Sequence, residues 1–387
     1  GYGELGNQGI NNFETRQTLV PGGNSVFGGQ IVQGVVPARL PNPDLIWETT
    51  SEVNIGLDFG FVNNRISGSI DYFRRVTGDQ LFNKPLPSTV GFASVRTNIG
   101  EVLNTGVDFS LKTNNFNGDF FKWETQFTLS YLKNETLELP DFTEQIIGGS
   151  AGNFITGYYI IEEGSPIFSY YGYTIDGIFQ EGDDIENTPT PADGFQPGMP
   201  IFRDVNGDGT ISAEDRAIIG NPFPEFTYGF RNTFGLGDFS LDIFINGVQN
   251  VDTFSNNVSE SIYPVNTNTN TLSSIYNNRY TPENTNTLIP SGENYSLYAG
   301  GLAVNNLTIV DASYMRLKNV TLSYQVPTEN MFFSSLRLYV AGDNIATWTD
   351  FEGYDPEASV TGGSVVARSY NSYPLARVYR LGLDLKF

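Results

Sequence analysis

The chain has 387 residues, with 21 Lys+Arg against 43 Asp+Glu for a net charge of −22, and it has neither cysteine nor histidine. That excludes a disulfide framework, a thiolate nucleophile, a Ser-His-Asp triad and a Cys/His zinc cluster, and so acidic a chain lacks the clustered cations that bind nucleic acid. With 42 Gly, 20 Pro and 14% aromatics, among them 29 Phe and 21 Tyr, it reads as folded, turn-rich and all-β rather than as a disordered acidic tail.

No stretch approaches 18 consecutive apolar residues, so no transmembrane helix is expected; a β-barrel is untouched by that test because its strands are apolar only at alternate positions. Alternation is the dominant pattern. From Glu52 to Phe61, one face is Val53, Ile55, Leu57, Phe59 and Phe61, and the other is Glu52, Asn54, Gly56, Asp58 and Gly60. Successive strand side chains point to opposite faces, so this is a strand with one apolar and one polar side. The split recurs at Ile66, Ile70, Tyr72, then at Val107, Phe109, Leu111, and then at Phe121, Trp123, Phe127, Leu129, Tyr131. Further along it returns at Phe226–Phe234, Phe239–Ile245, Val320–Val326 and Leu336–Val340, and finally at Tyr379, Leu381, Leu383, Leu385, Phe387. Met315 and Leu317 fall on the wrong parity for their strand, which predicts a bulge near Lys318.

Nine such strands of about 10–14 residues exceed the roughly 5–6 of a globular strand and match the about 9–11 of a tilted membrane strand. Short turns after Phe61, Lys112, Phe234 and Val326 alternate with long stretches at 79–100, 133–222, 250–313 and 348–372. Short periplasmic turns and long extracellular loops alternate in this way in outer-membrane barrels. Since Glu52–Phe61 then runs downward, Gly1–Gly9 should end an upward strand, and the chain reads as the C-terminal part of a longer barrel.

Several ordered segments resemble the SusC/RagA family of TonB-dependent outer-membrane transporters of Bacteroidota. They are YGELGNQ from Tyr2, NPDLIWE from Asn42 leading into NIGLD from Asn54, and NIGEVLNTG from Asn98. SYYGY from Ser169, DGIFQ from Asp176, DVNGDGTI from Asp204 and IGNP from Ile219 follow, then GYDPE from Gly353 and YPLAR from Tyr373. The resemblance covers essentially all of residues 1–387. It implies that these are about 9–10 antiparallel strands of a 22-stranded transmembrane β-barrel. It also implies a plug, energy from TonB through an N-terminal part outside this sequence, and a SusD-like surface lipoprotein as lid over a glycan or peptide. The corresponding activity is nutrient import, without enzymatic chemistry. Two other classes stand beside it: a SusC-like barrel serving as a structural or assembly subunit of a larger outer-membrane complex, and a secreted sandwich acting as an adhesin.

Four groups of residues stand out as candidate sites. Asp204, Asn206, Asp208, Thr210, Ser212 and Asp215 occupy positions 1, 3, 5, 7, 9 and 12 of a calcium-loop spacing, with Gly209 at 6. Asp at position 12 replaces the bidentate Glu, and an Asn/Asp/Gly turn held by its own hydrogen bonds is the alternative to structural Ca2+. Tyr158, Tyr159, Phe168, Tyr170, Tyr171, Tyr173 and Phe179 form an aromatic cluster in the longest loop, suited to stacking on cargo or lid, or to packing that loop. Arg74 and Arg75, expected just above an upward strand, could meet outer-leaflet lipid phosphates. The amphipathic end Tyr379, Leu381, Leu383, Leu385, Phe387 resembles the signal read by the barrel-assembly machinery.

Overall fold

The computed structural model describes residues 1–98, 100–139, 143–151, 155–263, 270–292, 300–329, 332–357 and 368–387. Ten strands pair in antiparallel succession into a single sheet. They are β1 (Tyr2–Asn7), β2 (Glu48–Phe61), β3 (Ile66–Gly78), β4 (Glu101–Asn117), β5 (Phe121–Glu138), β6 (Phe226–Leu236), β7 (Phe239–Gln249), β8 (Tyr314–Val326), β9 (Ser335–Trp348) and β10 (Val378–Lys386). β1 and β10 are its two edges. β4 and β5 run to 17 and 18 residues, longer than the alternation alone suggests. They rise past the apolar band into the loop layer.

One face of the sheet is apolar and exposed. Ile55, Leu57, Ile70, Phe230, Leu322, Val340, Leu381 and Leu383 are all more than a third exposed. Cross-strand aromatic pairs stitch this face together, with Trp123 stacked on Phe234 at 5.8 Å, Tyr131 against Phe226 at 5.2 Å and Phe239 against Tyr324 at 4.7 Å. Such pairs each contribute roughly 0.2–1 kcal/mol to a sheet. Gly68, opposite Phe59, has no Cβ where the Phe59 ring lies, since one added there would come within 2.7 Å of it. A sandwich would bury this face against a second sheet, whereas a lipid-facing wall leaves it uncovered by protein. At Lys318 the ladders to β7 and β9 both slip, so the predicted bulge is present and returns Met315 to the outward face.

The turns at one end are short. Residues 62–65 turn through Val62, Asn63 and Asn64 at positive φ (53°, 53°, 60°), a conformation Asn accepts readily. Gly237 (φ 55°) opens the two-residue turn from β6 to β7, where primed hairpin turns need a left-handed residue.

The connections at the other end are long and folded. A hairpin pairs Leu19–Phe27 with Gln30–Pro37, and another pairs Leu81–Pro85 with Ser94–Asn98. Gln145–Ala151, Ile155–Glu162, Ser169–Gly172 and Ala217–Gly220 form a four-stranded sheet. Asp252–Ser255 lies between Ile309–Asp311 and Arg368–Ser369, and two helices follow at Asn256–Ile262 and Ser273–Asn278. The molecule's hydrophobic core is here. Tyr158, Ile160, Ile161, Tyr170, Met199, Phe254 and Val304 are all 0% exposed. The loops meet water and bury their apolar residues against one another, while the strands leave theirs for a solvent that is itself apolar.

Candidate functional site

The second face of the ten-stranded sheet is mostly polar, with Phe73, Leu132, Phe244 and Tyr339 set among hydrophilic residues. Charged residues from adjacent strands meet across it. Arg75 pairs with Glu52 at 2.7 Å, Lys112 with Glu124 at 3.0 Å and Arg231 with Asp242 at 2.7 Å. Arg337 pairs with Asp384, and Arg380 with Asp343, each at 2.6 Å. Hydroxyls fill the gaps. Ser130 donates to Asp108 at 2.5 Å, and Ser69 and Ser110 are 2.8 Å apart. Half-exposed pairs of this kind contribute little stability, about 0–1 kcal/mol each. Their consequence is a hydrophilic wall in which these charges are matched, while Asp58, Asp71 and Asp108 on the same face add an acidic excess. Gly229 leaves a concavity of about 350 Å³ in it, lined by Gln126, Thr128, Arg231, Asp242, Phe244 and Asn319. A wall of water-compatible side chains backed by an apolar outer band is what a membrane pore for polar cargo requires.

Above this wall the loops are fastened to the strands by buried polar groups. Arg316, at the upper end of β8, is 1% exposed; it meets Asp355 at 2.5 Å and Glu357 at 3.2 Å, both from the connection between β9 and β10. Asp355 also accepts from the backbone N–H of Glu357 and of Leu375, each at 3.0 Å. On β5, Asn134 donates to Asn104 on β4 and accepts from the N–H of Ile167, both at 2.8 Å, which ties the longest loop to the wall. Arg216 lies 4.4 Å above the ring of Tyr171 and donates to the carbonyls of Tyr171 and Gly157. Sequence reasoning missed these fastenings. The GYDPE segment pointed to the first, and the polar-face parity of Asn104, Asn134 and Arg316 was available for the others.

The calcium-spaced loop folds as a turn complete in its own hydrogen bonds. Asp204 accepts from the N–H of Gly207 and Gly209, at 2.7 and 2.9 Å, and Asp208 accepts from Thr210 at 2.8 Å. Asn206 accepts from the N–H of Asp208 and donates to its carboxylate and to that of Glu214. Asp215, fully buried, accepts from Val205 and Ser212 and forms a capping box with Ser212. Burial alone would raise the Asp215 pKa; the N–H groups of Ser212, Val205 and Asn206 outweigh it and hold the carboxyl below its ordinary value. Asp215 therefore closes the turn from inside, and among the described residues no three acidic side chains gather as a metal-binding group.

The aromatic cluster lies inside the loop layer. Tyr158, Tyr170 and Phe179 are at most 1% exposed, and Tyr159 and Tyr173 are 4% and 7%. Tyr158 stacks on Tyr170 and Phe254, and Tyr159 meets Phe168 edge-on at 5.1 Å. Burial pushes the Tyr159 hydroxyl up to about 12. Rings enclosed by their own chain have no face for a sugar or a lid, so the packing alternative describes this geometry and the cargo-contact expectation does not. Tyr171 is the half-exposed member, and Arg216 covers it.

Arg74 and Arg75 lie within β3, not above it, and point to opposite faces. Arg75 is in the polar wall with Glu52; Arg74 is exposed on the apolar side. Tyr379, Leu381, Leu383, Leu385 and Phe387 are all exposed along the outward face of edge strand β10, with Phe387 packed against Phe332 at 5.9 Å.

Residues 2–345 match the family model described as TonB dependent receptor-like, beta-barrel. The chain belongs to the TonB-dependent receptor family. TonB-dependent receptor P3 of Formosa agariphila is 34% identical over 396 residues, covering 100% of this chain and 39% of that protein. TonB-dependent receptor SusC of Bacteroides thetaiotaomicron is 29% identical over 365 residues, covering 89% of this chain and 32% of SusC. Among solved structures, the RagAB peptide transporter superposes with a TM-score of 0.79 at 25% identity, over all of this chain and 40% of the transporter chain. This receptor chain is thus of the SusC/RagA kind, an outer-membrane β-barrel, and it spans about two-fifths of the length of the relatives it matches.

Proposed function

We propose that this chain is the C-terminal part of a barrel that imports a large polar nutrient, a glycan or a peptide, across the outer membrane. TonB supplies energy through the remainder of the polypeptide, and a SusD-like lipoprotein closes the loops from outside. The observation that carries the reading is the two-faced sheet, with an apolar band outside and a polar wall inside, both under a folded loop layer. Cargo moving along such a wall exchanges hydrogen bonds with Gln126, Thr128 and Asn319 beside the paired Arg231 and Asp242, and Asp58, Asp71 and Asp108 on the same face give the wall an acidic excess near β2 to β4. The matched relatives, receptors and a peptide transporter, point the same way. Recognition of the β10 edge by the barrel-assembly machinery belongs to the same proposal, since its exposed apolar side chains are available before the barrel closes. A calcium-bound form of the 204–215 loop is a separate proposal, in which Asn206 and Asp208 would have to exchange their mutual hydrogen bonds for the ion.

The test is uptake of fluorescent oligopeptides and oligosaccharides by cells carrying the full-length gene, with and without TonB. TonB-dependent accumulation of one class supports import and names the cargo class. Absence of TonB-dependent uptake of either class, with the protein correctly inserted, would refute import and leave the structural-subunit alternative.

A further inference from the structure

We propose that a row of three residues on the outward face, Arg74, Thr105 and Lys133, binds the phosphate of an outer-leaflet lipid headgroup. The proposal rests on the outer-membrane location of the barrel and is independent of transport. Strand register places the three side by side: Arg74 of β3 is opposite Thr105 of β4, which is opposite Lys133 of β5. With about 4.8 Å between strands, the Arg74 and Lys133 backbones lie roughly 10 Å apart. Two long cationic side chains close that gap around a single phosphate, with the Thr105 hydroxyl, which donates to the Phe73 carbonyl at 3.1 Å, between them.

The rows beneath set the depth. Immediately below are Tyr72, Val107, Tyr131 and Phe226 in register, with Tyr72 42% exposed and Tyr131 36% exposed. Below these come Ile70, Phe109 and Leu129, then Gly68, Leu111 and Phe127, all on the same face. The next polar row holds Thr113, Thr125 and Asn232, with Ile66 at its β3 end. From Arg74 to Ile66 is eight residues of strand, about 26 Å, or roughly 20 Å of depth at a tilt near 40°. That is close to the roughly 25 Å apolar band of an outer-membrane barrel, so the Arg74 row stands where headgroups begin, capped from below by interfacial tyrosines.

Of the two cations, only Lys133 has a protein partner among the described residues. Arg74 is exposed, faces Val53 on β2, and makes no ion pair among the described residues. Lys133 is 58% exposed at its side chain and shares Glu135 at 2.7 Å. With Lys133 matched by Glu135, Arg74 leaves the row one positive charge in excess in a chain of net charge −22. Inorganic phosphate would find only the cations; a lipid adds acyl chains that lie along Ile70, Phe109 and Leu129, so the lipid is the ligand this surface fits.

The test is native mass spectrometry of the full-length protein in detergent. The added probes are bis-phosphorylated lipid A, lipid A stripped of its phosphates, phosphatidylglycerol and inorganic phosphate. At least one phosphorylated lipid should bind, and whichever fills the site more identifies the headgroup. Arg74→Gln should lower its occupancy roughly fivefold, the effect of one surface cation near an anionic lipid. Arg74→Lys should restore most of it, and Glu135→Gln should raise it by freeing Lys133. Equal binding of phosphate-free lipid A, displacement of the lipid by millimolar inorganic phosphate, or unchanged occupancy in the Arg74→Gln/Lys133→Gln double variant would each overturn the proposal. Heat-modifiable migration checks that each variant is folded. If the glutamine variants fail that check, an unchanged occupancy in Glu135→Gln is the overturning result.

Discussion

Replacing Asp355 with alanine removes the partner of Arg316, a guanidinium that is 1% exposed. Stranding one member of a buried ion pair costs about 3–5 kcal/mol. Glu357 stays 3.2 Å from Arg316 but is itself 36% exposed, so its compensation is partial, and about 3 kcal/mol is the expected cost. The substitution also leaves the N–H groups of Glu357 and Leu375 without their acceptor. Because the pair joins β8 to the connection before β10, the loss falls on local opening of that connection and not on the sheet. Three kcal/mol corresponds to roughly 100-fold more frequent opening. Hydrogen exchange of the full-length protein should therefore show amides at 349–357 and 368–377 exchanging about 100-fold faster, with β2 and β3 unchanged. An Arg316→Met/Asp355→Leu double variant should regain the part of the protection lost to the stranded guanidinium, since apolar residues of similar volume replace buried pairs at little cost, while the N–H groups of Glu357 and Leu375 still lack their acceptor. Exchange in Asp355→Ala within twofold of the parent, or a double variant as open as the single, would refute the reasoning. The pH dependence has a definite sign. Burial alone raises the Asp355 pKa, but Arg316 and the N–H groups of Glu357 and Leu375 outweigh it and hold the carboxyl below its ordinary value. Its contribution is complete above the unfolded carboxyl value of about 3.9 and is lost as pH falls through the folded one. Protection should be flat from pH 8 to 5 and decline only below about pH 4.

Three further outcomes are expected. Leu57→Arg, mid-band on the outward face and 63% exposed, should cost about 2–4 kcal/mol and lower the yield of heat-modifiable barrel, whereas Asp58→Arg on the polar face should not. Equal yields would remove the lipid-facing assignment. Tyr158→Ala, at 0% exposure, should cost about 3–5 kcal/mol within the loop layer and open 145–220 to protease while the strands stay resistant; a protease-resistant loop would contradict its place in that core. Exchange at 203–216 should be slower in 1 mM Ca2+ than in EDTA, and in EDTA Asp215→Ala, losing the capping box, should loosen the turn by about 1–2 kcal/mol. Equal exchange in Ca2+ and EDTA would refute the calcium-bound form.

The strands were legible because lipid on one side and water on the other impose a period of two on every residue that spans. Even the wrong parity of Met315 and Leu317 located the bulge at Lys318. The upward strand expected at Gly1–Gly9 is β1, paired with β2 from Tyr2 to Asn7. The loops were not legible, since their core draws on segments such as Tyr158, Phe254 and Val304, and no local period announces contacts so distant in sequence. Aromatic density in 158–179 marked an important region but could not separate ligand contact from packing; burial decided that. The calcium spacing was a true statement about the positions of oxygens in the sequence. It said nothing of the backbone N–H groups that these oxygens accept from, nor of Asp215 turning inward.

The location of the hydrophobic core bears on the order of biogenesis. Each pair of strands joined by a short turn, β2 with β3 or β6 with β7, can form from neighbouring residues. The loop core cannot. Tyr158 stacks on Phe254, and Asp252–Ser255 pairs with both Ile309–Asp311 and Arg368–Ser369, contacts that close long stretches of chain and so form late. Closing such lengths of chain is slower than closing a hairpin, so the loop layer is expected to set after the strand pairs beneath it. Once set, that outer crust binds separate hairpins into one cooperative unit.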